Sequence, residues 1–289
     1  MQSSNLIEES LRSALAAIDT PSGPPILAEA MRYAVFPGGS RTRPRLCLAV
    51  AEACGRPNEP AALAVATSLE LLHCASLVHD DLPCFDDADM RRGKPSVHVA
   101  YGQPIAVLVG DALIVLAFEA LARSLSRSGA KLAPLMLLVT GCVGAPRGII
   151  AGQAWESEPA VDLEAYHRSK TGSLFAAACA AGALAADSDP APWHHVGEKI
   201  GQAYQALDDA LDVVGSQSEL GKPVQQDARN GRPNVLNHVS IEQIGRNVSG
   251  LVDEALAAIP KTANANEVSL LLRKAAGHFS RSASKIQTT

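Results

Sequence analysis

Two groups of aspartates lie within segments that otherwise read as buried helix. No other feature limits the folds open to this chain as strongly. The first group, Asp80, Asp81, Asp86, Asp87 and Asp89, continues an apolar segment in which Leu63, Ala66, Leu69, Leu72 and Ser76 recur at the spacing of one helix face. The second, Asp208, Asp209 and Asp212, is flanked by Ala206, Leu207, Ala210, Leu211 and Val213, and follows the same periodicity from Ile200 through Ala203 and Leu207. An acidic run is usually a solvated face. Leu82, Pro83 and Phe85 interleaved with the acids do not fit that composition. Carboxylates on an apolar helix need a cation or a basic partner. Asp208 and Asp212 stack at i, i+4 and repel unless a cation lies between them. In an unbroken helix Asp80 and Asp86 would stand about 120° apart. Pro83 disturbs the helix and allows Asp86 to return towards Asp80. His73 lies on the same stripe as Asp80. An oxygen-only ligand set suits Mg²⁺, which bridges carboxylates to phosphates.

The rest of the chain also reads as helix. Segments of helical spacing are separated by marks such as Pro21–Pro25, Gly55–Pro60, Gly144–Gly148 and Asp187–Pro192, and none shows sustained apolar–polar alternation. The expected fold is all-α, one domain over residues 1–289, with about ten or more helices around a central cavity. Leu132–Val139 and Leu174–Leu184 look apolar on most faces and are expected to be central and surrounded. Hydrophobic residues make up 47 % of the 289 residues and charged residues 19 %, which excludes disorder. A net charge of −5 and 4 % aromatics argue against a nucleic-acid partner. The six cysteines form no CxxC pair, lie mostly in apolar runs and are expected to be buried reduced thiols. The polar N-terminus shows no apolar signal-peptide core, and the stretch taken as most apolar, Leu174–Ala186, is too short to span a membrane, so a cytoplasmic protein without a span is expected.

Basic residues gather beside structural punctuation. Gly38 and Gly39 allow a tight exit from a helix ending near Phe36, and Ser40, Arg41, Thr42, Arg43, Pro44 and Arg45 follow. Pro44 biases Arg43 towards extended backbone and suits the start of the next helix. A basic loop at a helix start is a candidate phosphate site. Arg91, Arg92, Lys170 and Lys222 add enough positive charge for two diphosphates.

With both acidic clusters and these basic elements in view, the chain resembles the trans-isoprenyl diphosphate synthases, the polyprenyl synthetase family. Leu71–Gly110, with its paired aspartates followed by Arg91-Arg92-Gly93, looks like that family's first aspartate-rich region, and Gln202–Asp212 looks like its second. Gly38–Pro44, Lys170-Thr171-Gly172 and Leu220-Gly221-Lys222 resemble its phosphate-binding segments. The resemblance covers roughly residues 25–260. It is closest to the geranylgeranyl diphosphate synthases of bacterial carotenoid and photopigment pathways, an impression to which Phe36–Gly39 and Ala151–Glu156 contribute.

The resemblance implies an isoprenoid-synthase-like bundle, normally a homodimer. Asp80, Asp86 and Asp208, with Asp81 and Asp212 nearby, would hold about three Mg²⁺ ions on an allylic diphosphate (dimethylallyl, geranyl or farnesyl), consistent with carboxylate–phosphate bridging, and Asp209 of the same motif would belong to the catalytic site. Arg91, Lys170 and Lys222 would bind that diphosphate; Arg43, His73 and Arg92 would bind isopentenyl diphosphate. Thr171 and Gln205 would line the place where the carbocation forms. Ser40 stands where the family carries lysine, removing one cation, with Arg41 or Arg45 expected to compensate; Arg232 stands where a later lysine is usual. Farnesyl-making relatives typically carry an aromatic residue at the position of Ala75. With Cys74 and Ser76 also small, a twenty-carbon product is expected, with Leu72 and Leu116 as a deeper floor. A farnesyl diphosphate synthase is the alternative. A terpene cyclase would leave Arg43, His73 and Arg92 idle, a metal phosphohydrolase would require His79, and a non-catalytic partner subunit is at odds with intact acidic motifs.

Overall fold

The structure, a computed structural model, describes residues 2–18, 20–36, 39–57, 59–126, 129–214, 241–261 and 264–273. In chain order the helices are α1 (Gln2–Ala16), α2 (Pro25–Val35), α3 (Thr42–Ala53) and α4 (Pro60–Asp80); after a two-strand hairpin come α5 (Val97–Tyr101), α6 (Gln103–Leu125), α7 (Gly129–Val143) and α8 (Ile149–Ala154). A 3₁₀ turn at Trp155–Ser157, α9 (Leu163–His167) and a π-helical turn at Arg168–Gly172 lead into α10 (Ser173–Ala185) and α11 (Pro190–Val214). Helix α12 (Ile241–Ala258) follows, with further helical turns at 266–273. The architecture is all-α apart from the hairpin β1 (Met90–Arg91) and β2 (Lys94–Pro95), in which Met90 pairs with Pro95 and Arg91 with Lys94. Its turn puts Arg92 and Gly93 at φ 53° and 77°, the left-handed pair that matches hairpin twist.

Two apolar clusters organise the packing. One joins α1, α2, α4, α6, α7 and one face of α10 through residues such as Leu11, Met31, Leu69, Leu113, Val139 and Ala178. The other joins α3, α11, α12 and residues 266–273 around Phe175 and Cys179 on the opposite face of α10. Helix α10 is therefore surrounded, as expected, and its alanines let neighbours approach closely. At Gly197 of α11 a Cβ would come within 2.5 Å of the Ala176 Cα and the Phe175 carbonyl. That crossing sets the register between the start of α10 and the α11 segment carrying Gln205 and Asp208.

Three expectations need correction. Helix α7 is not surrounded: Leu137 is 73 % exposed, and only Leu135, Val139, Cys142 and Val143 are buried on it. Composition alone had hidden its one-sidedness, because its outer face is also apolar. Leu174–Ala186 is not the limiting apolar stretch either. Helices α4 and α6 are both long and apolar enough to cross a membrane, with mean hydropathies of 1.7 and 2.3. Of the 18-residue apolar stretch of each, 78 % is buried in α4 and 39 % in α6, so α4 is a core helix while α6 keeps an apolar face open. Finally, Arg43 is helical. Helix α3 starts at Thr42 behind a left-handed Arg41 (φ 50°), because Pro44 in the first turn needs no intrahelical acceptor.

The thiols of Cys47, Cys74, Cys142 and Cys179 are buried and unpaired, whereas Cys84 is exposed in the turn after α4.

Candidate active site

Helix α4 delivers the first acidic cluster. It is capped by Glu59 and Pro60 and ends at Asp80, well before Pro83. Backbone bonds then fold the chain back over the helix end. The Asp86 amide donates to the Asp80 carbonyl at 2.8 Å, and the Ala88 amide to the Asp81 carbonyl at 3.2 Å. Asp86 is thus returned to Asp80, as the proline implied. Burial pushes the Asp80 carboxyl up to about 6; Lys170 opposes the shift and Asp86 adds to it. A carboxylate in that state calls for added positive charge.

Asp81 is engaged differently. It is buried, and Arg91 of β1 grips it in a fork, with Nε at 2.9 and 3.2 Å from the two carboxylate oxygens and Nη2 also bonded. Burial pushes the Asp81 carboxyl up, and the charge and bonds of Arg91 pull against it. Asp81 orients Arg91 at the rim, where Asp80 and Asp86 also act on it electrostatically.

Opposite α4, the π-helical turn carries Lys170 and Thr171. Such single turns inside helices widen the backbone and re-aim side chains, often at functional sites. Lys170 Nζ bonds Glu156 and lies 5.6 Å from the centre of the Tyr166 ring. Glu156 also accepts from Tyr166 Oη at 2.8 Å and from Gln153 Nε2 at 2.9 Å. Thr171 Oγ1 donates to Gln205 Oε1 across the α10–α11 crossing. Asp208, one turn further along α11, is exposed. Asp209 and Asp212 lie in α11 but their side chains fall outside the description, and Lys222 and Arg232 lie outside the described residues.

Beside these residues is a cavity of about 240 Å³ lined by Gly39, Ser40, Arg41, Arg43, His73, Arg91 and Arg92, with Glu70 at its wall. Arg43 stacks over the Phe175 ring at 4.4 Å and its Nη1 lies 3.3 Å from His73 Nε2. Its Nε is buried with no hydrogen-bond partner among the described residues, which is costly unless an anion enters. Burial first, and then the charges of Arg43, Arg92, Arg91 and Arg41, hold His73 well below its usual range. It is therefore a neutral ring among cations.

Ser40 bonds Thr42 at 2.7 Å. Arg41 is not available to replace the missing lysine. It is only 5 % exposed, and donates to Glu8 (2.8 Å), Glu70 (2.6 Å) and the Val35 carbonyl (2.9 Å). Arg45 is absent from the residues lining the cavity. Ala75 is buried in the same apolar cluster as Leu72 and Leu116.

Gln153 and Glu156 entered the sequence reading only within the segment Ala151–Glu156, with no role attached, and Tyr166 and Glu70 did not enter it. Glu70 had a signal, a lone acid inside the apolar run of α4. The role of Glu156 beside Lys170 had none, because its partners come from α8, α9 and the π turn. Among the described residues, no three His, Cys, Asp or Glu side chains are drawn into a closed metal site. Mg²⁺ does not require one, since it is commonly held by one or two carboxylates together with substrate phosphates and water. The oxygen-only donors Asp80 and Asp86, with the upward-shifted Asp80, fit it.

The all-α bundle thus brings an acidic cluster at the end of α4 beside a basic cavity, with Arg91 reaching both. The profile of the polyprenyl synthetase family matches residues 24–271, and the chain belongs to that family. It is 47 % identical over 254 residues to the geranylgeranyl diphosphate synthase of Cereibacter sphaeroides, covering 88 % of each chain. Its fold superimposes on a geranyltransferase from Legionella pneumophila with a TM-score of 0.83 at 27 % identity, covering 97 % of this chain and 96 % of the other. A geranyltransferase from Helicobacter pylori, complexed with magnesium and isoprenyl diphosphate, gives 0.74 at 28 % identity and 97 % coverage of both.

Proposed function

We propose that the protein is a Mg²⁺-dependent prenyltransferase that condenses allylic diphosphates with isopentenyl diphosphate to give geranylgeranyl diphosphate. The observation that carries this reading is the adjacency of two anion sites joined by Arg91, which clamps Asp81 in the first and lines the second. A cyclase has one diphosphate to hold and no use for the second.

Asp80, Asp86 and Asp208, with Asp212 and Asp209 of the second cluster, would hold Mg²⁺, which when bound neutralises the leaving diphosphate. Lys170 and Arg91, together with Lys222, bind the allylic diphosphate and stabilise charge as the C–O bond breaks with its electron pair. Arg43, His73 and Arg92 hold isopentenyl diphosphate so that its double bond faces the allylic carbon, and Ser40 leaves that site one cation short. The new C–C bond forms from the alkene electrons, and the proton then lost passes to the departing diphosphate. Thr171 and Gln205 line the space where positive charge develops, and the apolar helices keep it dry. Ala75 sets product length by leaving room for the growing chain.

The enzyme acts as a homodimer, for which the apolar face of α6, with Leu108 and Val115 exposed, supplies a surface. Its thiols fit a reducing cytoplasm and its product a carotenoid-type pathway. The test is incubation with Mg²⁺, isopentenyl diphosphate and each allylic primer, followed by product chain-length analysis. Release of a hydrocarbon from an allylic diphosphate alone, with isopentenyl diphosphate unused, would reject the reading in favour of a cyclase.

A further inference from the structure

The basic cavity contains an acid. Glu70 is 2 % exposed, lies at the cavity wall and acts electrostatically on Arg43. A buried carboxylate beside an anion site repels the anion and competes for its cations. Arg41 meets that charge at 2.6 Å, and is itself fixed at three points, by Glu70 on α4, Glu8 on α1 and the Val35 carbonyl at the end of α2. Its left-handed backbone starts α3, so the same anchor places Arg43 two residues on. Arg43 is left with a buried Nε that no group among the described residues satisfies.

We propose that Arg41 is a positioning residue that occupies Glu70, so that Arg43 remains available to the diphosphate entering the cavity. This rests on the prenyltransferase reading for the identity of that diphosphate. Arg41 also lines the cavity, but its Nε, Nη1 and Nη2 are directed at Glu8, Glu70 and the Val35 carbonyl, so it contributes no bond to the ligand. When Arg41 is lost, Glu8 can turn to water, being partly exposed, but Glu70 cannot, and its charge then acts on Arg43 without compensation.

The test is steady-state kinetics and thermal melting of the full-length chain as R41M, E70Q and the R41M/E70Q double variant. R41M should raise the KM for isopentenyl diphosphate about tenfold or more, while the double variant returns to within about threefold of E70Q, the non-additivity expected of a directly coupled pair. The KM for the allylic primer should stay within about twofold of wild type throughout, since the bonds of Arg41 go to Glu8, Glu70 and Val35 and to none of the residues assigned to that diphosphate. If Arg41 were a direct ligand, E70Q would release it and lower the KM for isopentenyl diphosphate, and the double variant would stay as weak as R41M; either result overturns the inference. Should R41M fail to fold, E70Q alone decides, because an unchanged KM supports the neutralising role and a lowered one contradicts it. A wild-type enzyme that neither consumes isopentenyl diphosphate nor binds inorganic diphosphate would overturn both this inference and the functional reading. Normal turnover with an uncoupled double variant would overturn this inference alone.

Discussion

Asp80 shows how one carboxylate acquires a role from its surroundings. Asp80 and Asp81 are adjacent, yet Asp81 is clamped by Arg91 and Asp80 is pushed up to about 6 by burial, with Lys170 opposing and Asp86 reinforcing the shift. Asp80→Ala or Asp208→Ala should lower turnover about 10³-fold or more, equivalent to about 4 kcal/mol of transition-state stabilisation. Near-normal turnover by either variant would remove that aspartate from the metal-binding role. The same shift predicts a pH dependence. An Asp raised from its ordinary value favours its protonated form in the folded state. Its contribution to stability is therefore full below the unfolded pKa of about 3.9 and is lost as pH rises through about 6. Bound Mg²⁺ reverses the preference, because it requires the ionised form. The rise in Tm produced by Mg²⁺ should be larger at pH 7.5 than at pH 5.5, as read by melting with and without the ion. Taking the difference cancels metal-independent titrations such as that of His73.

At the scale of elements, the end of α4 is held against α6 through one close approach. A Cβ on Gly110 would fall 2.0 Å from His79 Nε2, whose ring is within 3.2 Å of the Val107 carbonyl. Gly110→Ala must therefore displace His79, the neighbour of Asp80, and should cost about 1–3 kcal/mol as an overpacking change. It should also raise the Mg²⁺ concentration needed for half-maximal activity. His79→Ala in the same chain should recover much of the stability, measured by denaturant unfolding; a double variant no more stable than Gly110→Ala would assign the strain elsewhere. One turn further back, Ala75 faces the apolar cluster that includes Leu72 and Leu116. Ala75→Phe should shorten the main product from twenty carbons to fifteen while leaving the first condensation intact. A wild-type enzyme that stops at fifteen carbons from geranyl diphosphate would show that Ala75 does not set the length.

For the whole molecule, the open question in the packing is the outer face of α6. Val107, Leu108 and Val115 are 42, 49 and 65 % exposed on a helix of mean hydropathy 2.3. A second copy of the chain would cover this face and explain why a helix apolar enough for a membrane ends in a globular bundle. Val115→Lys should then shift the protein from dimer to monomer in sedimentation velocity at micromolar concentration. A wild-type chain that sediments as a monomer would refute the dimer.

Much of this was legible without coordinates. Helical periodicity and aspartates in apolar segments are local properties, and the cost of burying an uncompensated charge holds in any fold, so the all-α class and the two acidic clusters could be read directly. Pro83 likewise announced the break that returns Asp86 to Asp80. What only the tertiary structure decided is which charge meets which. Arg41 and Arg43 are near-neighbours of the same type and both line the cavity, but Arg41 is committed to Glu70 and Glu8 while Arg43 stacks on Phe175 beside His73. Glu156 gained its place beside Lys170 only when α8, α9 and a π turn converged. The outer face of α7 reads as core in one dimension and lies at the surface in three. Pairings between distant segments depend on helix crossing angles and on single close contacts such as that at Gly197, and no spacing along the chain encodes them.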